Sequence, residues 1–219
     1  MGNEFNAVGF YYTIAAQAGH NWKGDYKKII NIFCNSAKKC GITPVHICPV
    51  NEKPLIENFV FVQASTKRLV YDREQAYLAF LTQHECCIIS DPDMVFLAKP
   101  PSLGKGYHAR LVFRPNDDAA FNGPRMLKRS FMPVLSETVR NMSYMSDKYK
   151  TWDGDSSAFA NAVYRARFAG IEIELVNESL YQSRPSLIKT NATTSYMYHF
   201  KGNAGKDEMF AYAAQEGLL

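Results

Sequence analysis

The sequence predicts an α/β fold, with a mostly parallel central sheet held between helices as an α/β/α sandwich. Two patterns and one local feature support this. Short β-branched and aromatic runs such as "VGFYYTIA" and "CCII" recur along the chain. Segments with apolar residues at helical spacing lie between them. Strands that alternate with helices imply βαβ units, which build parallel sheets. The local feature is "ECCIISDPDMVF", residues 85–96, where a buried-type strand runs into two aspartates and returns at once to apolar residues. Open α/β sheets bind ligands beyond the carboxyl ends of their strands, where this stretch puts its aspartates.

Val8 to Ala15 reads as the first strand, followed by the polar loop "AGHNWKGD". Asp25 can cap a helix whose Tyr26, Ile29, Ile30 and Phe33 recur at helical spacing, and Gly41 ends it. "ITPVHICPV" reads as the second strand, "NEKPLIEN" as a loop and "FVFVQA" as a short third strand. Residues 65–84 read as a helix, with Leu69, Ala76, Leu78, Ala79 and Phe80 among its apolar positions, and residues 85–96 follow as a strand. The second half is less regular. "HARLVFRP" is a strand candidate, and "AAFNGPRMLKRS" passes through a turn into another short element. "SFMPVLSETVRNMSYM" is helical after its proline, residues 155–170 form a helix closed by Gly170, and "IEIELVN" alternates as a strand. Residues 195–217 give a short strand, a Gly-rich turn and a final helix. No repeat, low-complexity tract or linker interrupts residues 1–219, so one domain is expected.

The totals narrow the function classes. A chain of 219 residues, 47% hydrophobic and 21% charged, has enough apolar mass for a real core. A net charge of +4 falls short of a dedicated nucleic-acid binder but suits an anionic ligand. Five scattered cysteines without a CxxC pair point to free thiols in a reducing compartment. The N-terminus lacks a signal-peptide pattern, and no run of about 18 apolar residues appears, so a cytoplasmic protein without a membrane span is expected.

Several clusters could carry chemistry. Asp91 and Asp93 flank Pro92, and two hard oxygen ligands at i and i+2 suit Mg²⁺ or Mn²⁺, with substrate phosphates filling the remaining positions. A plain Asp-Pro-Asp turn is the bland alternative. In "YHFKGNAGK", His199 is followed by Lys201, Gly202 and Lys206. The glycines let backbone amides approach a ligand, and the lysines can neutralise phosphate. Asn122 and Gly123 form either a site segment or an Asn-Gly turn. "TWDGDSS" offers Asp153 and Asp155, the latter also a candidate helix cap.

The strand, Asp-x-Asp and "MVFL" succession resembles the metal-binding motif of the GT-A glycosyltransferases, a Rossmann-like fold of nucleotide-diphospho-sugar transferases. The unit "YDREQAYLAFLTQHECCIISDPDMVF" resembles the helix–strand unit of retaining families such as the glycogenins and the bacterial lipopolysaccharide galactosyl- and glucosyltransferases. This resemblance implies that Arg73, or Arg68 as a second candidate, reaches the donor sugar; the alternative is a surface arginine paired with Glu74 or Asp72. It implies that Asn122 and Gly123 face that sugar, although Pro124 stands where the family has an aliphatic residue. Asp155, with Asp153 as rival, would lie near the reacting sugar. His199 would be the third metal ligand beside Asp91 and Asp93, and Lys201, Gly202 and Lys206 would hold the diphosphate. The Gly-to-Lys spacing here is one residue longer than the common form. Tyr11, Tyr12 and Thr13 would meet the nucleobase and ribose, unless the aromatics are simply core.

The implied activity is metal-dependent transfer of a sugar from a nucleotide-diphosphate donor to an acceptor hydroxyl, with retention preferred. The implied base is uracil, with GDP-sugars as the second option. The acceptor is open: a glycan, a protein, a small molecule or a modified DNA base. Tyr144, Lys148, Tyr149 and Lys150 could serve a nucleic acid, though a solvated loop is the plainer reading. Two other readings remain. A nucleotidyltransferase would need a Gly-rich basic loop after the first strand, where this chain has "AAQAGHNWKGD". A non-catalytic sugar-nucleotide-binding module would usually have lost the aspartate pair or the histidine, and both are present.

Overall fold

The computed structural model describes residues 4–13, 24–64, 68–114, 121, 123–151, 154–181 and 195–219. β1 (Ala7–Tyr11) is followed by α1 (Tyr26–Lys39), β2 (Thr43–Pro49), β3 (Phe59–Val62), α2 (Leu69–Thr82), β4 (Cys86–Ile89) and β5 (Met94–Phe96). Then come β6 (Ala109–Phe113), β7 (Arg125–Lys128), a single 3₁₀ turn, α3 (Met132–Ser143), α4 (Asp147–Thr151) and α5 (Gly154–Phe168). β8 (Ile173–Asn177), α6 (Glu178–Tyr181), β9 (Met197–His199) and α7 (Gly202–Gln215) complete the order.

Among the described residues, seven strands form one sheet in the order β3-β2-β1-β4-β7-β6-β8, and β5 pairs with β9 in a separate antiparallel ladder. All pairings in the large sheet are parallel except those of β7, which runs against both β4 and β6. The carboxyl ends of β1, β2, β4, β6 and β8 therefore share one edge with the start of β7. That edge is where an open α/β sheet places its ligands.

Both faces of the sheet are buried, so its central strands are apolar on both sides. Val8, Phe10 and Ile88 pack on one face with Ile29, Ile30 and Phe33 of α1 and Met209 of α7. Ala7, Tyr11, Cys87 and Ile89 pack on the other with Tyr77 and Phe80 of α2, Leu135 of α3 and Phe159 of α5. Gly9 faces this second layer, and a Cβ there would lie 2.6 Å from the Phe80 ring, so its bare backbone lets α2 sit close against β1.

Local signals act as the sequence predicts in the first helix. Asp25 accepts from the Lys28 N–H at 3.1 Å, and Gly41 follows the helix at φ +70°. Two expectations need correction. Residues 85–96 are two strands in different ladders, because Ser90 to Asp93 turn away from the large sheet between β4 and β5. The expected Gly-rich turn near the C-terminus is instead the first turn of α7, with Gly202 at φ +78° admitting the chain. The sequence expectation that the first strand extends through Ile14 and Ala15 lies outside the described residues.

His46 on β2 ties the edge together. Its ring stacks on Phe10 with centroids 5.1 Å apart. Nδ1 accepts from the Leu55 N–H at 3.2 Å, which leaves the Nε2 proton for the Tyr12 carbonyl at 3.1 Å. Burial holds this imidazole below its ordinary value of 6.5, with the Tyr12 bond pulling partly the other way. A depressed histidine contributes stability above 6.5 that is lost as pH falls through the lowered native value. Urea titrations should therefore show a midpoint that drops between about pH 7 and pH 5 in the native sequence, and drops less in His46→Gln, whose amide can keep both bonds.

Candidate active site

Two charge clusters meet at the turn after β4. The first is built by the pairing of β5 with β9. Met94 stands opposite His199, and the Phe200 N–H donates to the Asp93 carbonyl at 2.9 Å. This brings the Asp93 carboxylate to 3.4 Å from His199 Nε2. One turn into α7, Lys206 Nζ lies 3.7 Å from the other Asp93 oxygen. Asp93 is 17% exposed; burial alone would raise its carboxyl, but His199 and Lys206 overcome this and hold it below the ordinary carboxylate value.

The second cluster is a pocket on the sheet edge lined by Arg73, Tyr77, Asp91, Gly123, Arg125 and Asp155. Arg73 on α2 bridges two carboxylates. Its Nη1 reaches Asp91 Oδ1 at 3.3 Å, and its Nη2 pairs with Asp155 Oδ2. Asp155 is buried as the second residue of α5 rather than its cap, where a carboxylate complements the helix dipole. Pro92 joins the two clusters through the backbone, between Asp91 on one side and Asp93 on the other.

Tyr11 and Tyr12 leave β1 on opposite faces of the sheet. Tyr12 tilts onto Tyr26 with ring centroids 5.8 Å apart, and burial pushes its phenol up to about 12. Tyr11 sits on the α2 side, where burial, then Asp72, raise its phenol. Among the described residues, the buried Tyr11 hydroxyl and Arg73 Nε have no hydrogen-bond partner. Thr13 is fully buried just beyond the strand.

The structure thus brings together Asp93, His199 and Lys206, and separately Arg73, Asp91, Asp155 and Gly123. Lys201 and Gly202 are exposed at the start of α7. Arg68 is not brought in: it stands at the N-cap position of α2 and faces Asp147 at 3.4 Å. Asn122 and Asp153 lie outside the described residues. Sequence reasoning missed Tyr77 and Arg125. Tyr77 had a signal, since it lies four residues after Arg73 on the same helix face. Arg125 had only its charge at the head of an apolar strand.

The donor set can be tested against a metal. Among the described residues, no three His, Cys, Asp or Glu side chains form a ready cage. Asp93 and His199 converge, while Asp91 is engaged by Arg73. A carboxylate and an imidazole fit a Mn²⁺ or Mg²⁺ ion that takes its other ligands from phosphate and water. Among the described residues, no helix is long and apolar enough to cross a membrane.

No protein-family model matches the chain, and no curated protein sequence matches it. Among solved structures, the crystal structure of a glycosyltransferase involved in the glycosylation of the major capsid of PBCV-1 is similar, with a TM-score of 0.60 at 12% identity. The match covers 93% of this chain and 98% of that one. Together with the seven-stranded, mostly parallel sheet between helical layers, this likeness shows that the chain adopts a GT-A-like, Rossmann-like fold.

Proposed function

We propose that the chain is a metal-dependent glycosyltransferase that moves a sugar from a UDP-sugar to an acceptor hydroxyl, with retention. The observation that carries this reading is the adjacency of two sites: Asp93, His199 and Lys206 on one side of Pro92, and the Arg73–Asp91–Asp155 pocket on the other. A diphosphate at the first would place its sugar in the second. Asp93 and His199 would hold Mn²⁺ or Mg²⁺, the imidazole favouring Mn²⁺. When bound, the ion supplies charge neutralisation at the departing diphosphate.

The protein's own groups do the rest. Lys206 and the exposed Lys201 would place positive charge beside the diphosphate, and a helix N-terminus such as that of α7 favours an anion. Tyr11, Tyr12 and Thr13 border the place for the uracil and ribose. His46 fixes the Tyr12 carbonyl and the Leu55 loop beside them. Arg73, held by two carboxylates, and the Asp155 carboxylate offer rigid polar contacts to sugar hydroxyls and to charge developing at C1.

Gly205 is a structural requirement of this site. A Cβ there would lie 2.6 Å from the Phe200 carbonyl carbon and 2.8 Å from its oxygen. Gly205→Ala must therefore push α7 away from Phe200 and the end of β9, which carries His199. Calorimetry should show Mn²⁺-dependent UDP binding weakened by about tenfold or more.

The reading is tested by incubating the protein with UDP-glucose or UDP-galactose and Mn²⁺, and separately with UTP. Release of free sugar and UDP without acceptor is expected, and an acceptor screen over glycans, proteins, small molecules and modified DNA then follows. Pyrophosphate release from UTP with intact UDP-sugars would instead establish a nucleotidyltransferase. Binding of UDP-sugar with no turnover would leave a binding module.

A further inference from the structure

We propose that the buried Glu74–Arg125 pair is a positioning element of the sugar pocket, holding a fixed guanidinium beside Asp155. The proposal rests on the transferase reading above. Arg125 opens β7, which runs against both of its neighbours, so the strand's start faces the ligand edge. It lines the same pocket as Asp91 and Asp155, with only 8% of its side chain exposed. Its Nη1 and Nη2 donate to the two Glu74 oxygens at 2.5 and 2.9 Å, and Glu74 is fully buried. The guanidinium plane lies over the Phe159 ring at 3.7 Å and beside Tyr77 at 5.8 Å. Hydrogen bonds from α2 and packing from α5 therefore fix both its place and its tilt.

One stretch of α2 organises the whole pocket. Arg73 and Glu74 are adjacent, and adjacent helix positions diverge by about 100°. Arg73 turns to Asp91 and Asp155, and Glu74 turns to Arg125. Two carboxylates, Asp91 and Asp155, and two guanidiniums, Arg73 and Arg125, thus line one concavity, with Glu74 buried behind Arg125. Burial opposes the charge on Arg125, but Glu74, and behind it Asp155, hold its guanidinium above the ordinary arginine value. A simple clamp between α2 and β7 would not require ions, because apolar residues of similar size hold buried contacts as well or better. Fixed charges aimed into a pocket are instead what a polar transition state uses.

That contrast supplies the test. In Glu74→Leu/Arg125→Met the ions give way to apolar side chains of similar length, so packing is kept and the charge is removed. The double variant, Arg125→Lys and the native protein are compared by melting, by calorimetry with UDP and Mn²⁺, and by turnover of UDP-glucose and UDP-galactose. The double variant should fold and bind UDP within about threefold of the native protein, while kcat falls by about 100-fold with little change in KM. Arg125→Lys, which keeps the charge but not the fork, should recover about a tenth of the native kcat. A folded double variant with native kcat would show a clamp alone and overturn the proposal. If the double variant does not fold, native kcat in Arg125→Lys overturns it, and a lowered kcat with intact UDP binding supports it. No turnover in the native protein would overturn the transferase reading itself, and the proposal with it.

Discussion

Asp93→Asn will abolish Mn²⁺-dependent nucleotide binding and leave the fold intact. The carboxylate lies between two nitrogen bases, 3.4 Å from His199 and 3.7 Å from Lys206. Asparagine has the same shape but no charge, and a neutral amide oxygen is a poor ligand for a hard cation. Loss of a direct ligand should exceed the 10- to 100-fold effect typical of residues behind the ligands, so binding with Mn²⁺ should fall to the level seen in EDTA, at least about 100-fold. The backbone is anchored independently, since the Phe200 N–H still reaches the residue-93 carbonyl. Circular dichroism at neutral pH should therefore change little, while the urea midpoint there falls by the share that the charged carboxylate contributes. The pH dependence follows from the lowered carboxyl. Its stabilisation is full above the ordinary value of 3.8 and is lost as pH falls through the lower native value. Asp93→Asn should lack that acid-side loss. Native-like Mn²⁺-dependent binding in the variant would remove Asp93 from the metal site.

Glu74→Ala will destabilise the protein more than any substitution on its surface. Glu74 is fully buried and is the bidentate partner of Arg125. Removing it strands a guanidinium in a site with little water, which costs about 3–5 kcal/mol. Domains of this kind have only about 5–15 kcal/mol in total, so a large share of the stability goes. The urea midpoint by circular dichroism should fall accordingly. Adding Arg125→Met should recover most of the loss, because the stranded charge is then gone. A single variant with a native midpoint would mean that Arg125 finds another partner.

Much of the fold was legible because its signals are local. Asp25 and Gly41 bracket α1 as written, and the alternation of strands and helices gives the α/β/α layering. The aspartate turn was legible as chemistry but not as geometry. An apolar run on both sides of Asp91 and Asp93 reads as one strand, and only the pairing of β5 with β9, more than 100 residues away, separates the two. Gly202 and Gly205 read as a turn because glycine disfavours helix interiors. They lie in the first turn of α7 instead, where Gly202 takes φ +78° and a side chain at 205 would strike the Phe200 backbone. In sequence Arg73 is the first candidate for the donor sugar and Arg68 the second. Arg68 faces Asp147 and Arg73 the pocket, a distinction set by α4 and α5 packing against α2. Arg125 carried no local signal, since its role depends on the reversal of β7 and on Glu74, 51 residues earlier. Asn122 and Asp153 lie outside the described residues.

The most direct test of the central claim is calorimetric binding of UDP and of GDP, each with Mn²⁺ and with EDTA. UDP should bind with Mn²⁺ and lose that binding in EDTA, with GDP weaker. Failure of both nucleotides to bind, or binding that EDTA leaves unchanged, would contradict it.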